Sequence, residues 1–144
     1  MKIDFSIVDV RVLIVDDQVQ MRKSIARILE TMGCKSIVEC SSGIKALQEI
    51  KKRSFDLIIT DILMEKMDGC ELIEQIRGQN VCADVPIIAV SGESDRDQII
   101  KINRIGATSY LIKPFTFDDL ANRVVLVLSD YFYPPEPFAT INQI

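Results

Sequence analysis

The feature that most constrains the fold is a regular alternation between short apolar runs and stretches with helical spacing. The short runs occupy residues 10–15, 36–40, 55–60, 86–90 and 109–112. Three of them are apolar throughout rather than at alternate positions, as is typical of parallel strands that are covered on both faces. The alternation therefore predicts an α/β fold with a doubly wound, five-stranded parallel sheet and right-handed crossovers.

The stretches between the strands carry apolar residues three or four positions apart, which predicts amphipathic helices. The four stripes are Ile25, Ile28, Leu29 and Met32; Ile44, Leu47 and Ile50; Leu72, Ile73 and Ile76; and Ile99, Ile102 and Ile105. A fifth helix is predicted to begin at Thr116, because the segment from Thr116 to Asp119 resembles a capping box. Five helices thus accompany the five strands.

The last fifteen residues differ in composition from the rest, with three prolines among four aromatic residues. We expect them to form no regular helix and to be too short for a second domain. The chain is therefore divided into one domain at residues 9–129 and a tail at residues 130–144. Because residues 124–128 are five consecutive apolar positions on a helix, the sheet can cover only part of them. Residues 130–140 are predicted to pack over the remainder.

Composition removes several kinds of chemistry. The 144 residues contain no histidine and no tryptophan, which excludes Ser-His-Asp triads, histidine general bases and histidine-ligated zinc. The net charge of −4 argues against binding to nucleic acid. No apolar run approaches the ~18 residues of a membrane span, and the N-terminus has no signal-peptide pattern. We expect a cytoplasmic protein with reduced cysteines, no membrane insertion and no direct nucleic-acid contact.

Polar residues follow four of the five predicted strands. Asp16 and Asp17 follow the first, Asp61 the third, Ser91 the fourth, and Lys113 ends the fifth. In open α/β sheets, ligands bind outside the carboxyl ends of the strands, where these residues would meet. Crowded carboxylates need neutralisation, and Mg²⁺ prefers oxygen ligands together with phosphate. The lysine and the serine hydroxyl are suited to phosphoryl oxygens. This set predicts a site for Mg²⁺ and a phosphoryl group.

Six segments around these residues agree in order and spacing with a known pattern. They are residues 12–17 (VLIVDD), 55–61 (FDLIITD), 64–69 (MEKMDG), 90–92 (VSG), 106–107 (GA) and 113–115 (KPF). In these segments the chain resembles the receiver domain of two-component response regulators, of the chemotaxis-regulator type, over about residues 9–129. The resemblance implies a flavodoxin-like sheet with the strand order 2-1-3-4-5.

The resemblance also implies roles for the acids. Asp61 would be the phosphoacceptor, which takes a phosphoryl group from a sensor histidine kinase or a phosphotransfer protein. Asp17, Asp61 and the backbone carbonyl of Leu63 would bind Mg²⁺ directly, and Asp16 would act largely through water. The protein would then be a phosphoacceptor switch that takes part in its own phosphorylation and dephosphorylation, and not an enzyme with a separate substrate.

Further roles follow from the same resemblance. Lys113 and the hydroxyl of Ser91 would hold phosphoryl oxygens, and the peptide bond before Pro114 would be cis. Ser91 and Tyr110 would form the switch that responds to phosphorylation. The switched surface would contact a downstream protein target or a second copy of the chain in a homodimer. The contact surface would comprise the fourth helix, the fifth strand and the fifth helix, with Ile100 exposed on it. Glu65 departs from the family, which often has proline at that position.

Three other functions compete with this interpretation. A binding-only pseudo-receiver would lack one of the acids or the lysine, and all are present. A small phosphatase with Asp61 as nucleophile would favour a second acid two residues later, where the sequence has Leu63. A flavodoxin-like cofactor binder would need a phosphate-binding loop rich in serine, threonine and glycine after the first strand, and that loop is absent from the sequence.

Overall fold

The computed structural model describes residues 6–79, 83–92 and 96–134. The strands are β1 (Arg11–Val15), β2 (Ser36–Cys40), β3 (Leu57–Asp61), β4 (Ile87–Ser91) and β5 (Ser109–Ile112). The helices are α1 (Val19–Thr31), α2 (Gly43–Lys52), α3 (Gly69–Arg77), α4 (Arg96–Arg104) and α5 (Phe117–Phe132). No helix in these ranges is both long enough and apolar enough to cross a membrane.

The five strands form one parallel sheet in the order β2-β1-β3-β4-β5, which confirms the predicted fold and strand order. Side chains of a strand alternate between its two faces, and both faces of the sheet are covered. Val12 and Ile14 point into a hydrophobic cluster with α1 and α5. Leu13 and Val15 point into a second cluster with α2, α3 and α4. This double burial explains why three of the five strands are apolar on both faces.

The second predicted stripe is wrong at one position. Ile44 is 49% exposed, whereas Ala46 and Ile50 are buried. The reason is that α2 begins at Gly43, which lies against the side chain of Met67; a Cβ atom on Gly43 would meet Met67 Sδ at 2.7 Å. Gly43, Ala46 and Ile50 form the buried face of α2, and Ile44, about 100° further round the helix, therefore faces solvent.

The fifth helix begins as predicted and ends later. Thr116 and Asp119 form the predicted capping box, with the two side chains accepting each other's backbone N–H groups at 3.1 and 2.9 Å. The helix continues to Phe132, so the expectation of no regular helix is wrong for residues 130–132. No helix breaker occurs before Pro134, which explains the extension. Residues 130–140 are predicted to pack over the apolar positions 124–128, and residues 135–140 lie outside the described part of the chain. In the described part, Leu126 of that apolar run is 52% exposed.

Arg77, the last residue of α3, joins the segments that lead into β4 and β5. Its Nε and Nη2 donate to the carbonyl oxygen of Gly106 at 2.9 and 2.7 Å. Its Nη1 donates to the carbonyl oxygens of Ala83 and Val85 at 2.9 and 2.5 Å. Hydrogen bonds from a charged donor are stronger than neutral ones. Arg77 thereby holds the starts of the two strands whose opposite ends carry predicted site residues.

Replacing Arg77 with alanine should lower the free energy of unfolding by about 3 kcal/mol, because three backbone carbonyls lose a charged donor together. Chemical denaturation measures this change. Arg104→Ala is a matched control, since Arg104 is exposed at the end of α4. The control should change the stability by less than about 0.5 kcal/mol. Equal stability of the two variants would contradict the role given to Arg77.

Candidate functional site

The three acids predicted for the site come together at the carboxyl edge of the sheet. Asp16 follows β1, and Asp61 is the last residue of β3 rather than the residue after it. Asp16 is 1% exposed and Asp61 is 5% exposed, whereas Asp17 is exposed. One carboxylate oxygen from each acid lies within 4.8 Å of the other two. The parallel strands thus place three negative groups around one point, two of them out of contact with solvent.

Lys113, which directly follows β5, is the cation of this cluster. Its Nζ lies 3.2 Å from Asp61 Oδ1 and 3.8 Å from Asp16 Oδ2. Its backbone N–H donates to the carbonyl oxygen of Ser91 at 2.8 Å, which connects the ends of β4 and β5. The peptide bond between Lys113 and Pro114 is cis, as the resemblance implied. One ammonium group therefore faces two buried carboxylates.

Burial raises the pKa of Asp61 above its ordinary value, and the nearby ammonium of Lys113 opposes the rise. Burial also raises the pKa of Asp16, against the hydrogen bond that its carboxylate accepts from the backbone N–H of Gln18. Repulsion from Asp61 adds to the rise at Asp16. The lysine thus compensates only part of the cost of placing these charges together.

The residues fit a hard divalent cation. Among the residues that the structure describes, Asp16 Oδ2 is buried and accepts no hydrogen bond, which leaves it available to a cation or to a water molecule bound to one. Asp16 Oδ1 accepts from the N–H of Gln18 at 2.8 Å, and this bond fixes the orientation of the carboxylate. Carboxylate oxygens are the ligands that Mg²⁺ uses in proteins, usually one or two of them with water and phosphate. A cation here would neutralise the charge that Lys113 leaves uncompensated.

The loop between β3 and α3 folds back onto Asp61. The N–H of Gly69 donates to the carbonyl oxygen of Ile62 at 2.8 Å. A Cβ atom on Gly69 would lie 2.2 Å from the carbonyl oxygen of Asp61 and 2.7 Å from the Cα of Ile62. Only glycine allows this approach. Asp68 then begins α3, with its carboxylate accepting the N–H of Glu71 at 2.9 Å. The Asp68-Gly69 pair therefore shapes the backbone beside Asp61.

Glu65 makes a contact that proline would lack at its position. Its backbone N–H donates to Asp17 Oδ2 at 3.3 Å. Proline has no backbone N–H and could not form this bond. The departure from the family's pattern therefore adds a connection between the β3–α3 loop and the exposed acid of the site. Leu63, two residues before Glu65 in the same loop, has a side chain that is 63% exposed.

Ser91 and Tyr110 lie on the same face of the sheet. Ser91 is buried at the end of β4 and pairs with Ile112, which is two residues beyond Tyr110. Side chains two positions apart on a strand share a face. Tyr110 is half-buried against the cluster around α4, where it lines a hollow of about 170 Å³ together with Ile99 and other residues of α4 and β5. The two predicted switch residues thus lie on the same face of adjacent strands, offset by two residues along the strands.

Two residues near the acids were not found from the sequence. Arg22 Nη1 donates to the carbonyl oxygen of Asp16 at 2.7 Å, and Arg22 Nε lies 3.4 Å from Glu39 Oε1. The sequence contains only a weak signal for this contact, an arginine on the first turn of α1. A charged residue on the first turn of a helix is ordinarily solvated, so the signal becomes specific only when Glu39 of β2 is seen beside it.

Comparison with known proteins identifies the family to which the fold belongs. Residues 12–125 match the family model described as "Response regulator receiver domain". Chemotaxis protein CheY-3 of Vibrio cholerae is 33% identical over 116 residues, which cover 81% of this chain and 89% of that protein. Chemotaxis protein CheY of Pseudomonas aeruginosa is 33% identical over 114 residues, with 79% and 92% covered.

A solved structure gives the same result for the fold. Chemotaxis response regulator CheY4 of Vibrio cholerae superposes with a TM-score of 0.78 at 30% identity, over 82% of this chain and 98% of that one. The fold and the acidic strand ends define a flavodoxin-like α/β domain of the CheY type. The chain belongs to the response regulator receiver domain family. Receivers of this kind are signalling switches of two-component systems and typically bind Mg²⁺ at an acidic pocket, which Asp16, Asp17 and Asp61 provide here.

Replacing Gly69 with alanine should displace the backbone at Asp61 and lower the free energy of unfolding by about 2 kcal/mol or more, because the new Cβ atom meets backbone atoms. Gly78→Ala is the matched control at the other end of α3, where a Cβ atom would find only ordinary contacts at 3.6 Å. The control should be neutral or more stable by about 0.4–1 kcal/mol. Thermal and chemical unfolding measure both, and a neutral Gly69→Ala would contradict the close approach.

Replacing Asp61 with asparagine should raise the free energy of unfolding at neutral pH without Mg²⁺. The pKa of Asp61 is raised in the folded state, so its effect on stability is most favourable below the unfolded pKa and is lost as the pH rises through the folded pKa. Asparagine avoids that loss, and the two proteins should converge at low pH. Denaturation at several pH values tests this, and a variant less stable at neutral pH would contradict it.

Proposed function

We propose that this protein is a phosphoacceptor response regulator, which accepts a phosphoryl group on Asp61 in a Mg²⁺-dependent reaction and thereby switches a protein–protein contact. The observation that carries the proposal is the contact of Lys113 Nζ with Asp61 Oδ1 at 3.2 Å, within a cluster of three acids. A buried carboxylate beside an ammonium and a divalent-cation site has the parts that phosphoryl transfer needs, since that reaction depends on positioning and neutralised charge.

The reaction would transfer the phosphoryl group from a histidine of a sensor kinase or phosphotransfer protein to a carboxylate oxygen of Asp61. The P–N bond of the donor breaks, a P–O bond forms, and the donor histidine leaves as imidazole. Asp17, Asp61 and the backbone carbonyl of Leu63 would hold Mg²⁺, and Asp16 would act largely through water. The bound cation would neutralise the charge of the phosphoryl oxygens. Lys113 would pair with another phosphoryl oxygen once Asp61 is esterified.

Ser91 and Tyr110 would carry the signal away from the site. The Ser91 hydroxyl would bond to a phosphoryl oxygen, and Tyr110 would turn inward on the same face of the sheet. The output surface would comprise α4, β5 and α5. Two apolar side chains support that choice: Ile100 is 42% exposed, as predicted, and Leu126 of α5 is also exposed. Exposed apolar side chains close to a switch residue suit a contact with a downstream protein or a second copy.

We propose further that the protein acts in the cytoplasm, without direct contact with nucleic acid. Phosphorylation and dephosphorylation would both take place at Asp61, without turnover of a separate substrate. The division into a receiver domain and a C-terminal tail stays a proposal. The end of α5 at Phe132 supports a boundary three residues beyond the predicted one at residue 129.

Incubation with acetyl phosphate and Mg²⁺, followed by mass spectrometry of the intact protein, tests the function. One phosphoryl adduct is expected in the wild type and none in the Asp61→Asn variant. An unmodified wild-type protein would support a binding-only module. Continuous release of phosphate from several phosphate esters would support an enzyme instead, and full-rate phosphorylation of Asp61→Asn would reject the site.

Replacing Asp17 with alanine should weaken Mg²⁺ binding by about tenfold or more and slow phosphorylation together, because the cation would bridge protein and phosphoryl oxygens. Isothermal titration with Mg²⁺ and the rate of adduct formation measure the two effects. Asp9→Ala is a control on an exposed acid outside the cluster and should leave both unchanged. Unchanged Mg²⁺ affinity in Asp17→Ala would remove Asp17 from the ligand set.

A further inference from the structure

Arg22, on the first turn of α1, reaches back to the loop that carries the two adjacent acids. Its Nη1 donates to the carbonyl oxygen of Asp16 at 2.7 Å. That carbonyl belongs to the peptide unit between Asp16 and Asp17, so the bond fixes the plane from which both carboxylates extend. On its other side, Arg22 Nε lies 3.4 Å from Glu39 Oε1 in the edge strand β2. One guanidinium thus connects the edge of the sheet with the acidic loop.

The loop between β1 and α1 is short and lacks the usual devices that fix the start of a helix. Three residues, Asp16 to Gln18, separate β1 from α1. Gln18 gives α1 no side-chain cap, and the first turn of the helix contains no acid. The usual devices that fix the start of a helix are therefore missing. The backbone of the loop is held by the N–H of Asp16, which donates to the carbonyl oxygen of Cys40, by the helical bond from the N–H of Arg22 to the carbonyl oxygen of Gln18, and by the side chain of Arg22 at the Asp16 carbonyl. The carboxylates of the acids accept from the N–H groups of Gln18 and Glu65, and Asp16 also faces Lys113.

The surroundings of the guanidinium favour a fixed position. The side chain of Arg22 is 15% exposed, and its Nε and Glu39 Oε1 are both shielded from solvent. Glu39 also pairs with Lys23 at 2.9 Å, but the side chain of Lys23 is 62% exposed. Exposed ion pairs contribute little, whereas removing one partner of a shielded pair has a larger effect. Arg22 and Lys23 thus share a carboxylate, and only Arg22 also bonds to the Asp16 carbonyl.

We propose that Arg22 is a positioning residue for the acidic site. It holds the Asp16–Asp17 peptide in the orientation in which these carboxylates share a divalent cation with Asp61, and Glu39 holds Arg22 in turn. Arg22 acts through the peptide and not by contact with the cation or the phosphoryl group. The inference rests on the proposed function, because it requires that the three acids bind Mg²⁺. To that function it adds Arg22 as the residue that orients the carboxylates before the cation binds.

The proposal and simple electrostatics predict opposite results. Removing a positive charge beside a cluster of acids should strengthen the binding of a cation through Coulomb attraction. Removing a group that orients ligands typically weakens metal binding by about 10- to 100-fold. For Arg22→Ala we expect Mg²⁺ affinity to fall by about tenfold. Arg22→Lys should bind Mg²⁺ within about threefold of the wild-type affinity. The ammonium group can still bond to the Asp16 carbonyl, and a small loss remains because it cannot contact Glu39 at the same time.

The experiment is isothermal titration of the full chain with MgCl₂, for the wild type and for Arg22→Ala, Arg22→Lys, Glu39→Gln and Lys23→Ala. Lys23→Ala loses the same charge from the same helix turn and should bind Mg²⁺ as the wild type does or slightly more tightly. Glu39→Gln keeps the guanidinium but weakens its anchor, and about threefold weaker binding is expected. This variant also tests the proposal if Arg22→Ala fails to fold.

Phosphorylation by acetyl phosphate gives a second readout. The rate for Arg22→Ala should approach the wild-type rate when Mg²⁺ is raised to saturation, because the defect lies in the arrangement of the ligands. Wild-type or tighter Mg²⁺ affinity in Arg22→Ala, even with a lower unfolding temperature, would overturn the proposal and leave Arg22 a purely structural role. An equal loss in Lys23→Ala would overturn it as well. A wild type that binds no Mg²⁺ would instead reject the proposed function.

Discussion

The structure depends on one unfavourable arrangement, two buried carboxylates that face a single ammonium group. Asp61 and Asp16 are both nearly inaccessible to solvent, and Lys113 Nζ lies 3.2 and 3.8 Å from them. Burial raises the pKa of both acids despite the lysine. A charge that is costly in the resting state is suited to neutralisation by a cation or to conversion into an ester. The same cost lowers the stability of the folded protein.

The rest of the fold keeps this arrangement from relaxing. Neighbouring strands are paired up to the site, with Asp61 opposite Val90 and Ser91 opposite Ile112. Both faces of the sheet are packed by apolar side chains, which leaves the strand ends no room to spread. At the opposite edge, Arg77 holds the segments that lead into β4 and β5. The backbone at Asp16 and Asp61 therefore cannot move apart without breaking hydrogen bonds between the strands or opening the core.

The loops complete the site by backbone contacts rather than by side-chain packing. Gly69 approaches the Asp61 backbone closely enough to exclude any Cβ atom, the N–H of Glu65 bonds to Asp17, and Arg22 bonds to the carbonyl of Asp16. These contacts act on peptide groups or on single oxygens. A change of one side chain in this region can therefore alter the geometry of the site while leaving the core intact. Glu65 is an example, since proline at that position could not make the contact.

The sequence by itself determined the fold class, the strand order through a resemblance, and the acids, hydroxyl and lysine of the candidate site. It could do so because parallel strands buried on both faces must be apolar throughout, and because polar residues directly after them must meet at one edge. Only the tertiary structure decided which face of α2 is buried: Gly43, Ala46 and Ile50 face the core and Ile44 faces solvent. It also decided that Arg22 joins Glu39 to the Asp16 carbonyl. These features depend on contacts between segments far apart in the chain, for which local spacing contains no signal.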